Sequence, residues 1–110
     1  MSKIANQNFQ KVLRFIQKNL DQEISVSQLA KMSFISKDHF SRVFRSISGM
    51  PPSEYIIRKR LEKAKLLLLT TNCPLTEIIQ YTGFKSTPYF CRMFKKYTSF
   101  TPKEFRKSRG

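Results

Sequence analysis

Two arginines stand in matching surroundings fifty residues apart, Arg42 within Phe40-Ser41-Arg42-Val43-Phe44-Arg45 and Arg92 within Phe90-Cys91-Arg92-Met93-Phe94-Lys95. The guanidinium fork of an arginine can pair with O6 and N7 of a guanine, which makes each block a candidate for reading a base edge. On a helix, the two Phe of each block lie four apart and share one buried face, while the Arg between them points toward solvent or a partner. The match is wider than the block. A shift of fifty also lays Ser36, Pro52, Glu54 and Tyr55 on Ser86, Pro102, Glu104 and Phe105. An internal repeat of this length means one structural unit built twice.

Charge narrows the partner. Lys and Arg number 21 against 7 Asp and Glu in 110 residues, a formal net charge of +14 with a pI near 10.3. Such a chain attracts polyanions, nucleic acid first among them. With 40% hydrophobic residues it can bury a core. No apolar stretch approaches the roughly 20 residues of a membrane span, and Met1-Ser2-Lys3-Ile4-Ala5-Asn6 has no signal-peptide apolar region, so a cytoplasmic, nucleoid-associated protein is expected. Cys73 and Cys91 read as two reduced thiols. They lack metal-ligand spacing, and no metal or other cofactor is expected. Enzyme readings fare badly, because the lone His39 diverges from its neighbour Asp38 by about 100° on a helix and cannot form a triad with it. Met32, Met50 and Met93 are scattered packing residues, and no glycine-rich phosphate loop appears.

The elements that must position these side chains are all helices. Phe9, Val12, Leu13, Ile16 and Leu20 follow helical spacing up to Asp21-Gln22-Glu23. Ser25 caps a short helix from Val26 to Ser33, with Gln28 placed to return the bond and Ile24 to staple onto Leu29. A turn at Phe34-Ile35 leads to Ser36, the cap of a helix from Lys37 to Ser46 or Ile47 with Asp38 at its positive end. Gly49 and Pro51-Pro52 close it. A long helix then runs from Pro52 to Thr70, its stripe made of Ile57, Leu61, Ala64, Leu67 and Leu68. The second copy follows: a short helix Leu75 to Thr82, a turn at Gly83-Phe84-Lys85, a cap at Ser86, a helix Thr87 to Tyr97, and a last helix announced by Thr101-Pro102-Lys103-Glu104. The tail from Arg106 to Gly110 is expected to fray and to touch phosphate. In the short helix the repeat aligns at forty-nine instead, Val26, Leu29 and Ala30 on Leu75, Ile78 and Ile79, so the second turn carries one extra residue. Short helix, tight turn, longer helix is the helix-turn-helix arrangement, in which the longer helix enters a DNA major groove.

From Leu29-Ala30 through Phe40-Ser41-Arg42-Val43-Phe44, Gly49, Pro52-Ser53-Glu54-Tyr55, Arg60-Leu61 and Ala64 to Gly83-Phe84, Tyr89-Phe90, Arg92, Phe94-Lys95, Thr101-Pro102 and Phe105-Arg106, the chain resembles the DNA-binding domain of the AraC/XylS family of bacterial transcription regulators. The likeness covers residues 6 to 107. It implies an all-α domain of two helix-turn-helix subdomains, 6–51 and 71–107, joined by a rigid linker helix, 52–70. It further implies that both recognition helices enter successive major grooves on one face of the duplex.

Carried onto this chain, the base-contacting candidates are Lys37, Asp38, Ser41 and Arg42 in the first recognition helix and Thr87, Pro88, Cys91 and Arg92 in the second. Asp38 can accept only from cytosine or adenine amino groups, whereas Thr87 and Pro88 suit thymine methyls. Arg45, Lys85, Lys95, Lys96, Lys103, Arg106 and Lys107 are candidates for phosphate, which fixes register without reading sequence. Departures from the family pattern stand out at six positions: Ile79 in place of Ala, Pro51 and Pro74 in place of capping hydroxyls, Phe34 in a turn, Ser99 in place of Gly, and Pro88 near the start of its helix. Together they predict a weaker, more permissive second unit. The function expected is a sequence-specific transcription regulator, often an activator, acting on promoter DNA and through RNA polymerase. It is expected as a stand-alone monomer or as the C-terminal half of a larger sensor with an effector domain. The rivals are a sequence-indifferent architectural binder of nucleic acid and a protein adaptor.

Overall fold

The computed structural model describes the backbone of residues 3–109 and the side chains of residues 8–109. Every regular element among them is an α-helix: α1 Lys3–Lys18, α2 Val26–Met32, α3 Lys37–Ser48, α4 Pro52–Thr70, α5 Leu75–Tyr81, α6 Thr87–Thr98 and α7 Pro102–Lys107. They form two compact units, Met1–Ile57 and Arg58–Gly110, so that α4 contributes its start to one and its remainder to the other.

The first unit is built on Val12, Ile16 and Leu20 from α1 and just beyond it, Leu29 and Ala30 from α2, Phe40 and Phe44 from α3, and Ile56 from α4. Phe44 is the hub, its ring 5.2 Å from Phe9, 5.7 Å from Phe40 and 5.4 Å from Tyr55. The starts of α2 and α3 follow from their caps. The Gln28 amide donates to Ser25 Oγ at 3.1 Å and the His39 amide to Ser36 Oγ at 3.2 Å. The turn between them is closed by the Ile35 amide donating to Ala30 O at 3.3 Å, which requires Phe34 to adopt φ 59°. Gly49 ends α3 at φ 85°, a conformation natural to glycine.

The second unit repeats these solutions with different residues. Leu61, Ala64 and Leu68 of α4, Ile78 and Ile79 of α5, and Phe84, Phe90 and Phe94 are buried. Phe94 lies 5.6 Å from Phe90 and 5.4 Å from Phe105, whose edge-on contact copies that of Phe44 and Tyr55. The Phe84 amide donates to Ile79 O at 3.2 Å around Gly83 at φ 78°, so Gly83 and Phe34 hold equivalent places. Since Phe84 and Ile35 still match at forty-nine while Ser86 and Ser36 match at fifty, the extra residue is Lys85. At the other end of α6, Ser99 takes φ 69° where the first unit has Gly49.

Three expectations change. The stripe of α4 begins at Ile56, which is 5% exposed and belongs to the first core, while Ile57 and Leu67 are only half-buried. The spacing predicts a single stripe, but the helix serves a different core at each end. Secondly, the tail does not hang loose. Arg106 donates from Nε to Leu68 O at 3.4 Å and from Nη2 to Thr71 O at 3.2 Å, and Arg109 donates from Nη1 to Thr71 O at 2.6 Å and from Nη2 to Asn72 Oδ1 at 2.5 Å. The carbonyls at a helix C-terminus have no partners within the helix and attract cations, which explains why the tail folds onto α4. Gly110 lies outside the described residues. Finally, Ile79 is accommodated in the core at 7% exposure, although α5 approaches α6 over a shorter stretch than α2 approaches α3.

Candidate nucleic-acid interface

Burial of Phe40 and Phe44 fixes the rotation of α3 about its axis. Its opposite side then presents Lys37, Asp38, Arg42 and Arg45 to solvent, with Ser41 half-buried between them. These positions follow i, i+1, i+4, i+5 and i+8, one continuous ridge. Arg42 makes no hydrogen bond or ion pair among the described residues and lines a shallow open hollow with His39, Val43 and Ser46. The first-turn Asp38 lies where the unpaired amides of the helix start favour negative charge.

Phe90 and Phe94 set α6 by the same rule. Thr87, Pro88, Arg92 and Lys95 are exposed, and Cys91, in the place of Ser41, is half-buried. Pro88 sits in the first turn of α6, where a missing N–H removes no intrahelical bond, and Ser86 Oγ accepts from the Tyr89 amide at 3.2 Å. Arg92 is not bare like Arg42. Its guanidinium carbon lies 5.5 Å from the centroid of the Tyr89 ring.

Of the phosphate candidates, Arg45, Lys85, Lys95, Lys96, Lys103 and Lys107 are exposed, Lys85 and Lys95 at the two ends of the α6 ridge. Lys96 also lies 5.6 Å from the Tyr97 ring centroid. Arg106 is half-buried, with its guanidinium directed to the carbonyls of Leu68 and Thr71. Arg58 escaped sequence reading; it sits 4.8 Å from the Tyr97 ring centroid beside Leu61, Glu62 and Lys65. Nothing in the spacing of α4 marks it, because the ring comes from a segment almost forty residues away. Neighbouring Arg60 is half-buried, and that burial pushes its guanidinium below the ordinary arginine value, with Tyr89 opposing the shift. Cys73 donates its thiol to Glu77 Oε2 at 3.3 Å, and this bond raises its pKa above the ordinary thiol value. His39 and Asp38 are both exposed, and no group of three or more His, Cys, Asp or Glu among the described residues could hold a metal ion.

A family model described as a helix-turn-helix domain matches residues 29–108, spanning both turns and both ridges. The chain belongs to the AraC/XylS-type helix-turn-helix family. Within this family, the transcriptional activator AarP of Providencia stuartii is 38% identical over 97 residues, covering 88% of this chain and 72% of AarP. The fold is shared by the C-terminal domain of the response regulator yesN of Fusobacterium nucleatum, with a TM-score of 0.84, 36% identity and coverage of 88% and 95%. It is shared as well by the DNA-binding domain of AdpA, solved in complex with a target DNA, with a TM-score of 0.87, 26% identity and coverage of 91% and 90%. The chain spans only 42% of LumQ from Photobacterium leiognathi and 16% of Btr from Bacillus subtilis. No helix among the described residues of this AraC/XylS-type chain is long and apolar enough to cross a membrane.

Proposed function

We propose that the chain is a sequence-specific DNA-binding regulator of transcription whose helices α3 and α6 read successive major grooves of promoter DNA. The observation that carries this is the pair of ridges: in each unit two buried Phe turn one Arg and its polar neighbours outward on a helix fixed by a side-chain cap. Arg42 and Arg92 pair with guanine edges. Lys37, Asp38 and Ser41 add polar contacts in one groove, and Thr87, Pro88 and Cys91 line a more apolar contact in the other. Arg45, Lys85, Lys95, Lys96, Lys103 and Lys107 supply phosphate contacts that fix register. Arg106, engaged at the end of α4, serves mainly to hold α7. The organisation is a first reader over 6–51, a linker helix over 52–70 and a second reader over 71–107. Regulation proceeds through contact with RNA polymerase in the cytoplasm, with no cofactor and no catalytic step, and a monomer suffices because one chain carries two readers.

The test is binding to a genomic fragment library at rising salt, comparing wild type with Arg42→Ala and Lys95→Ala. Wild type keeps a few sites near physiological salt. Arg42→Ala relaxes sequence preference, by about 1–3 kcal/mol at one base pair. Lys95→Ala weakens all sites alike and lowers the salt slope by about one. The net charge of +14 favours a second reading, indifferent nucleic-acid binding. Uniform binding that vanishes with salt on every fragment would establish that reading in place of the first.

A further inference from the structure

The two reading arginines differ in what holds them. Arg92 lies three residues after Tyr89 on α6, a spacing that brings side chains together, and its 5.5 Å distance from the ring centroid is within cation–π range. The ring is itself anchored. Tyr89 is half-buried, 6.1 Å from the ring of Phe84 at an interplanar angle of 49°, and Phe84 in turn meets Phe90 edge-on at 5.0 Å. None of this ladder exists among the described residues of the first unit. The counterparts of Phe84 and Tyr89 there are Ile35 and the exposed His39, and Arg42 has no ring contact among the described residues.

We propose that Tyr89 is the specificity-determining residue of the second recognition helix, stacking under Arg92 so that its guanidinium is held ready for one guanine. The inference rests on the DNA-reading function proposed above. An arginine already confined loses less rotamer freedom when it pairs with a base, and a fixed fork tolerates fewer displaced acceptors. The second helix is therefore, against the expectation of a permissive second unit, the stricter guanine reader, and α3, with an unstacked Arg42, the more adaptable one. Tyr89 touches no base in this scheme; it is a positioning residue that acts through Arg92.

The experiment begins with selection of a preferred duplex from random DNA by the wild-type chain. Each guanine is then replaced singly by 7-deazaguanine, which removes the N7 acceptor, and the Arg92 guanine is the one whose replacement no longer matters in Arg92→Ala. On the normal duplex Tyr89→Leu binds about three- to fivefold more weakly than wild type, and Tyr89→Phe, which keeps the ring, stays within twofold. On the duplex with 7-deazaguanine at that position, where only O6 remains to accept, the gap between wild type and Tyr89→Leu narrows. Equal loss on both duplexes would reveal a merely structural role and overturn the proposal, as would no loss on either. A measurement on the wild-type protein serves where Tyr89→Leu fails to fold: the Arg92 side-chain proton resonances in the free protein carry a ring-current shift that Arg42 lacks. Resonances of Arg92 averaged like those of Arg42 would overturn the proposal. A selection that yields no preferred sequence would remove the DNA-reading function and this inference together, whereas a preferred sequence without an Arg92-dependent guanine would remove this inference alone.

Discussion

The first and second helix-turn-helix units solve the same backbone problem with their awkward residues exchanged. Each needs two left-handed residues, one in the turn and one closing the recognition helix. The first unit has Phe34 in the turn and Gly49 at the close; the second has Gly83 in the turn and Ser99 at the close. Glycine adopts this conformation without penalty, while a side chain there costs roughly 1–2 kcal/mol. The hydroxyls that organise the closing turns are exchanged more conservatively, Ser48 donating to Phe44 O at 2.7 Å and Thr98 to Phe94 O at 2.7 Å. Residues awkward for their backbone positions are thus distributed between the units. Strain in the turn falls on the first, and a missing cap at Pro74 with a side chain at Ser99 falls on the second. That distribution argues against reading the second unit as uniformly the weaker.

The largest test of the comparison is truncation of the two hubs. Phe44→Ala and Phe94→Ala each remove a fully buried ring and should each cost about 3–5 kcal/mol in denaturant unfolding. Phe44→Ala should cost more, because its ring meets three others where Phe94 meets two. Hydrogen exchange then sharpens the contrast. Phe44→Ala should lower protection chiefly over residues 26–46 and Phe94→Ala chiefly over 75–97, whereas equal loss in both segments would mean that the chain opens as one unit.

Next in size is the exchange of left-handed residues. Phe34→Gly should stabilise the chain by about 1 kcal/mol, since a ring that is 87% exposed contributes little packing to offset its strain. Gly83→Phe should destabilise by at least as much. Ser99→Gly should give a smaller gain. Thermal melts of the three variants measure these differences, and a loss of stability in Phe34→Gly would show that the ring has a folding role that its exposure hides.

Most of this architecture could be read in the sequence, because the signals were local. Caps at Ser25, Ser36, Ser86 and Thr101, the proline at Pro102 and the Phe pairs at four-residue spacing determine where helices start and which way they face. The outward ridge follows directly from those Phe pairs. What could not be read depends on contacts distant in sequence: Arg106 and Arg109 folding back on α4, Arg58 over Tyr97, and the split of α4 between two cores. Phe34 illustrates a different limit. Its position marks a turn, but its left-handed backbone emerges only once Gly83 is seen in the equivalent place.

The short helices α2 and α5 provide a finer test. Ser25 Oγ accepts from an amide of α2, whereas Pro74, at φ −61° and ψ 151°, gives α5 no side-chain cap. Ser25→Ala should cost about 1 kcal/mol and Pro74→Ser should gain up to about 1 kcal/mol, because serine adopts that backbone without strain. Thermal melts should move in opposite directions. If Pro74→Ser leaves the melt unchanged, the rigidity proline gives the unfolded chain has offset the new hydrogen bond.

The smallest effect concerns α4 and α7, whose starts match at Pro51 and Thr101. Pro51 has neither an N–H nor a hydroxyl, so α4 has no capping box. At α7 the Thr101 amide donates to Glu104 Oε1 at 2.8 Å and the Glu104 amide to Thr101 Oγ1 at 3.1 Å. The Thr101 backbone bond, then its side-chain bond, with Lys95 adding a favourable charge, holds the Glu104 carboxyl below the ordinary value. A carboxyl depressed in the folded state contributes stability that is present above its unfolded pKa, near 4.3, and is lost as pH falls through the lower folded value. The Thr101 amide resonance should therefore titrate with a midpoint below the ordinary glutamate range, and Glu104→Gln should abolish that titration while leaving α4 untouched. A midpoint at the ordinary value would mean that the box is open in solution, and the two helix starts would then differ in sequence alone.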